Sequence, residues 1–259
     1  MGDNLDNSPY SLEGKIILVT GASSGIGRVI SRILDQSGAR LILMGRNLEE
    51  LTKTLESLDS NKEHLLALFD LKDLHEIKKW MNEFTFKHSI KLDGAVHSAG
   101  IQYTLPLRIN DIDHYEEIIR INFKAGVALL QSMLNKKYAN STFSFIFISS
   151  VMGSVGEAGI TAYAASKGAI NSFVKSAALE LAPRKARVNA IAPGFVVSEM
   201  SDDLFEKLTE EQRRKIIAKH PLGIGSSEDV AYGVVYLLSE AAKWITGTVL
   251  TVDGGYTCH

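Results

Sequence analysis

The chain has 259 residues, of which 45% are hydrophobic and 22% charged, with a formal net charge of -2. That balance belongs to a globular protein with enough apolar material to bury a core without metal or disulfide, and it lacks the basic face that nucleic acid requires. A single cysteine, Cys258, excludes an intrachain disulfide and reads as a surface thiol in a reducing compartment.

Met1 to Tyr10 is polar and acidic, without the basic start and apolar run of a signal peptide. No apolar stretch approaches the ~20 residues that span a bilayer. Residues 1–11 are therefore expected to be a loose tail, 12–259 one domain, and the location cytoplasmic. Lys15 to Thr20 is a short apolar run that reads as a buried strand. Glycines follow, then a helical pattern from Ile26 to Gln36. Strands are expected at Arg40–Met44, Leu65–Phe69 and Leu92–His97, with helices at Leu48–Leu58 and Leu74–Phe86 between them. A long helix is expected from Ile112 to Leu134, a strand at Phe143–Ile148 and an alanine-rich helix at Ala164–Leu181. A strand at Ala186–Ala192, a helix at Val230–Leu238 and a last strand at Val249–Val252 complete the pattern. Strand and helix alternate throughout, which predicts an α/β fold: a Rossmann-like, doubly wound parallel sheet of about seven strands with helices on both faces. The irregular stretch 194–221, with helical material at Phe205–Ala218, is either a substrate lid or a pair of solvated surface helices.

Thr20-Gly21-Ala22-Ser23-Ser24-Gly25-Ile26-Gly27 joins the first strand to the first helix. In that context the glycines suit a tight turn, a close backbone approach to phosphate and close helix–strand packing, and the helix N-terminus offers free N–H groups to a pyrophosphate. At the end of the second strand an acidic residue would hold the ribose 2′-hydroxyl of NAD. Gly45 and Arg46 stand there instead. A guanidinium suits a 2′-phosphate in charge and geometry, so NADP is favoured and NAD disfavoured. The other reading of Arg46 is a solvated loop residue.

Ser149-Ser150 ends the fifth strand, and Tyr163 and Lys167 follow four apart, on one helix face. A ketone reduction needs a hydride on carbon and a proton on oxygen. A tyrosine beside an ammonium can exchange that proton, the ammonium being expected to lower its pKa. A serine hydroxyl can hold the oxygen as charge develops.

The glycine-rich turn together with the Ser/Tyr/Lys set resembles the short-chain dehydrogenase/reductase family, whose motifs are Thr-Gly-x-x-x-Gly-x-Gly and Tyr-x-x-x-Lys. The similarity extends from about Leu12 to Tyr256. It implies cofactor contacts at Gly21, Ser23, Ser24, Gly25, Ile26 and Gly27, at Arg46, and at Asp70 and Leu71 beside the adenine. It places Tyr163 as acid/base, Ser150 on the substrate oxygen, Lys167 also on the ribose hydroxyls, and Asn122 in a water-linked proton relay. Ala99 and Gly100 match the family's Asn-Asn-Ala-Gly, but His97 and Ser98 depart from it; His97 is either a substitute hydrogen-bonding group or mainly structural. Pro193, Gly194 and Val196 are implied to wrap the nicotinamide, with Ser198 near the phosphates.

Among relatives the chain most resembles 3-oxoacyl carrier-protein reductases. Arg184 falls where those receive the acidic carrier protein, though it equally suits a cap at its helix end; Lys136 and Lys137 lie near a second such position without matching it. The alternatives are a sugar or small-alcohol dehydrogenase of the same family, a sugar epimerase, or a non-catalytic NADP-binding regulatory protein. A homotetramer is implied, with Ala125, Leu129 and Met133 on one helix face and Ala169, Phe173 and Ala177 on another as candidate contacts. The bland alternative is that these faces pack on the sheet. No metal, membrane or nucleic-acid partner is expected.

Overall fold

A computed structural model of the chain describes residues 8–197 and 209–258. Its strands, in chain order, are β1 (Ile16–Thr20), β2 (Arg40–Gly45), β3 (Leu65–Leu68), β4 (Leu92–His97), β5 (Ala139–Ile148), β6 (Arg187–Pro193), β7 (Val196–Val197), β8 (Gly225–Ser226) and β9 (Val249–Val252). Its helices are α1 (Gly25–Gln36), α2 (Leu48–Glu56), α3 (Ile77–Lys87), α4 (Ile112–Ile119), α5 (Ala125–Met133), α6 (Thr161–Leu181), α7 (Glu210–Ala218) and α8 (Ser227–Leu238). Seven strands form one sheet in the order β3-β2-β1-β4-β5-β6-β9, and every pairing in it is parallel. The order reverses between β1 and β4. Such a reversal opens a crevice at the carboxyl ends of the strands, and ligands bind there in open α/β sheets.

Side-chain alternation along each strand builds a core on either face of this sheet. Phe143, Phe145 and Phe147 of β5 point to one face and pack with Leu129 and Met133 of α5 and Val174 of α6. Ile146 and Ile148 point to the other, with Ile30 and Leu34 of α1 and Val234 of α8. Phe145 and Phe147 are wholly buried. Trimming either to alanine should cost about 3–5 kcal/mol.

Several boundaries differ from the sequence pattern. The helix expected over Ile112–Leu134 is interrupted by a π-helical turn at Arg120–Lys124, which carries Asn122. Helix α6 starts at Thr161, so Tyr163 lies in its first turn. Helix α8 starts at Ser227 because Ser226 and Asp229 cap each other reciprocally. The small β7–β8 ladder pairs the start of the 194–221 stretch with Gly225–Ser226, just past its end. It escaped the sequence reading because two-residue strands carry no periodicity. Within that stretch α7 is present, and 198–208, which include Ser198, lie outside the described residues.

Of the expected tail, residues 1–7 also lie outside the described residues. Pro9 accepts a hydrogen bond from the Ala241 amide at 2.9 Å and Leu12 is buried, so the docked chain includes Pro9. Of the helix faces named for a tetramer, Ala125, Leu129 and Met133 are buried against the sheet, as is Ala177, and Phe173 packs on the same core, while Ala169 is half-buried. Among the described residues no helix is long and apolar enough to cross a membrane.

Candidate active site

The cleft at the strand reversal encloses about 410 Å³. Its nucleotide end is made largely of backbone. Gly21 adopts φ +67°, and a Cβ there would come within 2.9 Å of Ala99 Cα, so the β1 and β4 loops touch only because the residue has no side chain. At Gly27 a Cβ would lie 2.1 Å from the Gly21 carbonyl oxygen, which is how α1 sits down on the turn. Ser24 is the N-cap of α1 but its side chain makes no capping bond, and the first turn holds no acidic residue. Among the described residues the positive helix end and its N–H groups therefore face the cleft without a side-chain cap or first-turn carboxylate. Arg28 does not face it as a free cation. It pairs with Glu50 at 2.6 Å, and also donates to the Ser23 carbonyl and to Thr54.

Beside this turn Arg46 lines the cleft, exposed and without an ion-pair partner among the described residues. A Cβ on Gly45 would stand 3.2 Å from the Leu51 side chain and 3.4 Å from Ser23 Oγ, so Arg46 and Ser23 flank a narrow slot. Asp70 and Leu71 form the next wall, Asp70 accepting the Lys72 amide at 2.9 Å. Ala99 and Gly100 make the floor, with Pro193 and Gly194 at the other end.

The two serines after β5 are used differently. Ser149 also borders the cleft, but its Oγ is engaged with α6, donating to Asn171 Oδ1 at 2.6 Å. Ser150 lines the cleft together with Tyr163, and its hydroxyl accepts the Met152 amide at 3.2 Å. Tyr163 and Lys167 line the same wall, with Lys167 Nζ 5.3 Å from the Tyr163 ring centroid. Lys167 Nζ donates to the Ile148 carbonyl at 2.7 Å, which anchors α6 to the end of β5. Burial lowers the Lys167 pKa to about 8. Burial also raises the Tyr163 phenol above its ordinary value, with the Ser150 hydroxyl pulling the other way. Desolvation is thus the larger influence on the free Tyr163 phenol, and Lys167 spends one of its bonds on a backbone carbonyl.

Asn122 is wholly buried behind Gly100 rather than on the cleft wall. Its Oδ1 accepts the Ile101 amide at 2.8 Å, while its Nδ2 donates to the Ile101 carbonyl at 3.0 Å and to Ser166 Oγ at 3.1 Å. Val196 is buried in the β7 ladder. The cleft also includes Phe69, Ile101 and Gln102, which the sequence reading passed over because no motif marks them.

Arg184 lies beyond the far end of α6, and its guanidinium donates to the Leu134 carbonyl at 2.7 Å. Together with Lys136 it lines a separate groove near the start of β5, at the opposite end of that strand from Ser150.

A protein-family model described as enoyl-(acyl carrier protein) reductase matches residues 21–257. The chain is 39% identical over 250 residues to the 3-oxoacyl-[acyl-carrier-protein] reductase FabG of Rickettsia prowazekii, covering 94% of this chain and 97% of that one. It is 34% identical to the FabG of Thermotoga maritima over 249 residues, covering 94% and 98%. Among solved structures, a Beutenbergia cavernae protein assigned as an NAD(P)-dependent gluconate 5-dehydrogenase, with NADP bound at low occupancy, superposes with a TM-score of 0.89. It shares 30% identity, over 97% of this chain and all of that one. A Mycobacterium ulcerans short-chain type dehydrogenase/reductase gives 0.87 at 29% identity, over 96% and 92%. By the glycine-built turn, the Ser/Tyr/Lys wall and this likeness over nearly its whole length, the chain belongs to the short-chain dehydrogenase/reductase family of oxidoreductases.

Proposed function

We propose that this protein reduces a ketone to a secondary alcohol with NADPH, and that its substrate is a 3-oxoacyl thioester carried on an acyl carrier protein. The observation that carries the reaction class is the gathering of Ser150, Tyr163 and Lys167 in one cleft with the glycine-built turn and with Arg46, which has no ion-pair partner among the described residues. The residues present fit the cofactor: Cβ-free backbone at Gly21 and Gly27, a helix N-terminus without a side-chain cap for the pyrophosphate, and Arg46 with Ser23 for the 2′-phosphate. Asp70 and Leu71 would border the adenine, Lys167 the ribose, and the Pro193–Gly194 segment with Val196 the nicotinamide; the Ser198 hydroxyl is assigned to the phosphates.

When bound, NADPH supplies the hydride that forms the new C–H bond. Ser150 holds the carbonyl oxygen with a hydrogen bond that strengthens as charge develops on it. As the C=O π pair moves onto that oxygen, Tyr163 Oη gives it a proton, and the product is the alcohol. The Lys167 charge favours the phenolate left behind, which regains its proton from water. Burial favours the neutral phenol, the form that donates the proton in reduction.

The carrier-bound substrate rests on the relatives. Arg184, tied to a helix end, adds nothing specific to it. The structural likeness to a protein assigned as a gluconate dehydrogenase favours a sugar or small-alcohol substrate as the second reading. A cytoplasmic location and a homotetramer complete the proposal; a tetramer would have to use outward surfaces, where α6 carries Leu179, 78% exposed. The test is NADPH oxidation with a 3-oxoacyl thioester, a keto-gluconate and simple ketones. The proposal expects the thioester to give the highest kcat/KM. A preference for the sugar supports the second reading, and tight NADPH binding without turnover of any ketone would point to a regulatory protein.

A further inference from the structure

His97 ends β4, only 1% exposed, between the floor of the nucleotide cleft and the π-helical turn that carries Asn122. Its Nε2 lies 3.0 Å from the Ile121 carbonyl, which can only accept, so Nε2 carries the proton. Burial and the nearby Lys167 charge lower the imidazole pKa to about 4, so the ring is neutral and Nδ1 is an acceptor. Thr20 Oγ1, 3.1 Å from Nδ1, must then donate to it, and the same oxygen accepts the Ala99 amide at 3.1 Å. Every donor in this chain has one acceptor, and no group is left to choose.

The chain continues beyond the imidazole. Next to Ile121, Asn122 clamps Ile101 by its amide and its carbonyl and donates to Ser166, whose hydroxyl donates to the Tyr163 carbonyl at 2.7 Å. The ring also lies against the α5 backbone: a Cβ on Gly126 would come within 2.7 Å of His97 Cδ2. A path of hydrogen bonds, continued through the Ile121–Asn122 backbone, thus runs from Ala99, on the cleft floor, to the helix that presents Tyr163 and Lys167.

We propose that His97 is a positioning residue whose two ring nitrogens do separable work: Nδ1, through Thr20, sets the floor on which the cofactor lies, and Nε2, through the π-helical turn, sets the helix that bears Tyr163. This rests on the NADPH-dependent reduction proposed above. The ring is never an acid or base in the reaction, because it holds no exchangeable charge near neutral pH.

The two arms can be cut one at a time. His97→Asn keeps an acceptor near Thr20 but is too short to reach Ile121. His97→Gln can reach Ile121 but offers Thr20 no acceptor at the Nδ1 position. The measurements are NADPH affinity by fluorescence titration, kcat and its pH profile, and hydrogen exchange at the Ile101 amide, which Asn122 holds. For His97→Asn we expect kcat to fall about tenfold and Ile101 exchange to quicken about tenfold, with NADPH Kd moving less than about threefold. For His97→Gln the NADPH Kd should rise about tenfold, with Ile101 exchange within about threefold of the parent. Thr20→Val, which also removes the acceptor of the Ala99 amide, should lose at least as much affinity, and His97→Gln should add nothing in its presence because the Thr20–His97 bond is already gone; Thr20→Val also tests the first arm if a His97 variant fails to fold. The shape of the pH profile should be the same in parent and variants. Identical patterns in the two His97 variants, unchanged Ile101 exchange in a folded His97→Asn, or a pH profile reshaped by that substitution would each overturn the proposal. Absence of turnover in the parent would refute the proposed activity instead, while the affinity and exchange measurements still decide whether the two arms exist.

Discussion

The two ends of the cleft are built from different materials. At the nucleotide end the contacts come from backbone brought close by glycine: Gly21 against Ala99, Gly27 against Gly21, and an α1 N-terminus with no side-chain cap and no acidic residue in its first turn. Arg46 and Ser23 are the side chains that flank this frame at the 2′-phosphate slot. At the catalytic end the frame is ordinary, a strand end and a first helical turn, and the chemistry rests in Ser150, Tyr163 and Lys167, with pKa values set by burial. A backbone-built site selects by shape and by a fixed dipole, so adding atoms destroys it. A side-chain site selects by proton affinity, so it fails when one hydroxyl is removed and the shape survives.

The largest effect expected from that contrast is at the catalytic end. Tyr163→Phe removes the proton donor and leaves the ring, so kcat should fall by about 10² to 10⁴ while the melting temperature stays near that of the parent. Steady-state kinetics beside a thermal melt checks this, and near-normal turnover in a folded variant would remove Tyr163 from the reaction. At the other end the corresponding experiment adds a methyl group. In Gly27→Ala the new Cβ meets the Gly21 carbonyl at 2.1 Å, so α1 must back away from the turn. Overpacking of this kind costs about 1–3 kcal/mol, and NADPH affinity should fall roughly ten- to a hundredfold. Calorimetric titration measures the loss.

How much of each end was legible in the sequence follows from the same contrast. The glycine spacing between a strand and a helix announces a close backbone approach, and Tyr163 and Lys167 share a face because they lie four apart. Seven strands alternating with helices implied the sheet. What could not be read are features set by tertiary contact. Nothing in Arg120-Ile121-Asn122-Phe123-Lys124 signals that the helix widens there, and Asn122 reaches Ile101 through that turn. The direction of the Lys167 ammonium, onto the Ile148 carbonyl, depends on where β5 ends beside α6. The helix faces suggested for a tetramer show the limit of periodicity, since an apolar stripe looks the same whether it meets the chain's own sheet or a second copy.

A smaller effect sharpens the comparison at the slot beside Gly45. Arg46→Ala should lower the preference for NADPH over NADH by roughly ten- to a hundredfold, the value of one charge-assisted bond to a phosphate at about 1.5–3 kcal/mol. Gly45→Asp should reverse the preference by repelling the phosphate, at some cost in crowding against Leu51. Titrating both reduced cofactors decides it. Raising salt should weaken the preference, because Arg46 is exposed.

The mildest expected change is in the response to pH. Lys167 loses its charge as pH rises through about 8, so kcat/KM for reduction should decline above that value. Stability moves the other way for this residue. Between about 8 and the ordinary lysine value of 10.5 the unfolded chain holds a proton that the folded chain has released, so this group makes folding more favourable as pH rises across that window. Its full burial penalty applies below it. A rate profile and denaturant melts over the same pH series would separate the two trends, and Lys167→Met should flatten the stability trend.

The most direct test of the account is a double-variant cycle across the cleft. Parent, Tyr163→Phe, Arg46→Ala and the double variant are compared for NADPH Kd and for kcat at saturating cofactor. If the two ends act independently, Tyr163→Phe changes kcat with Kd within about twofold of the parent, Arg46→Ala changes Kd with kcat little altered, and the double variant shows the product of the two effects. A double variant far from that product, or a Tyr163→Phe protein that loses NADPH binding as steeply as turnover, would contradict the division of the cleft into a backbone-built nucleotide end and a side-chain catalytic end.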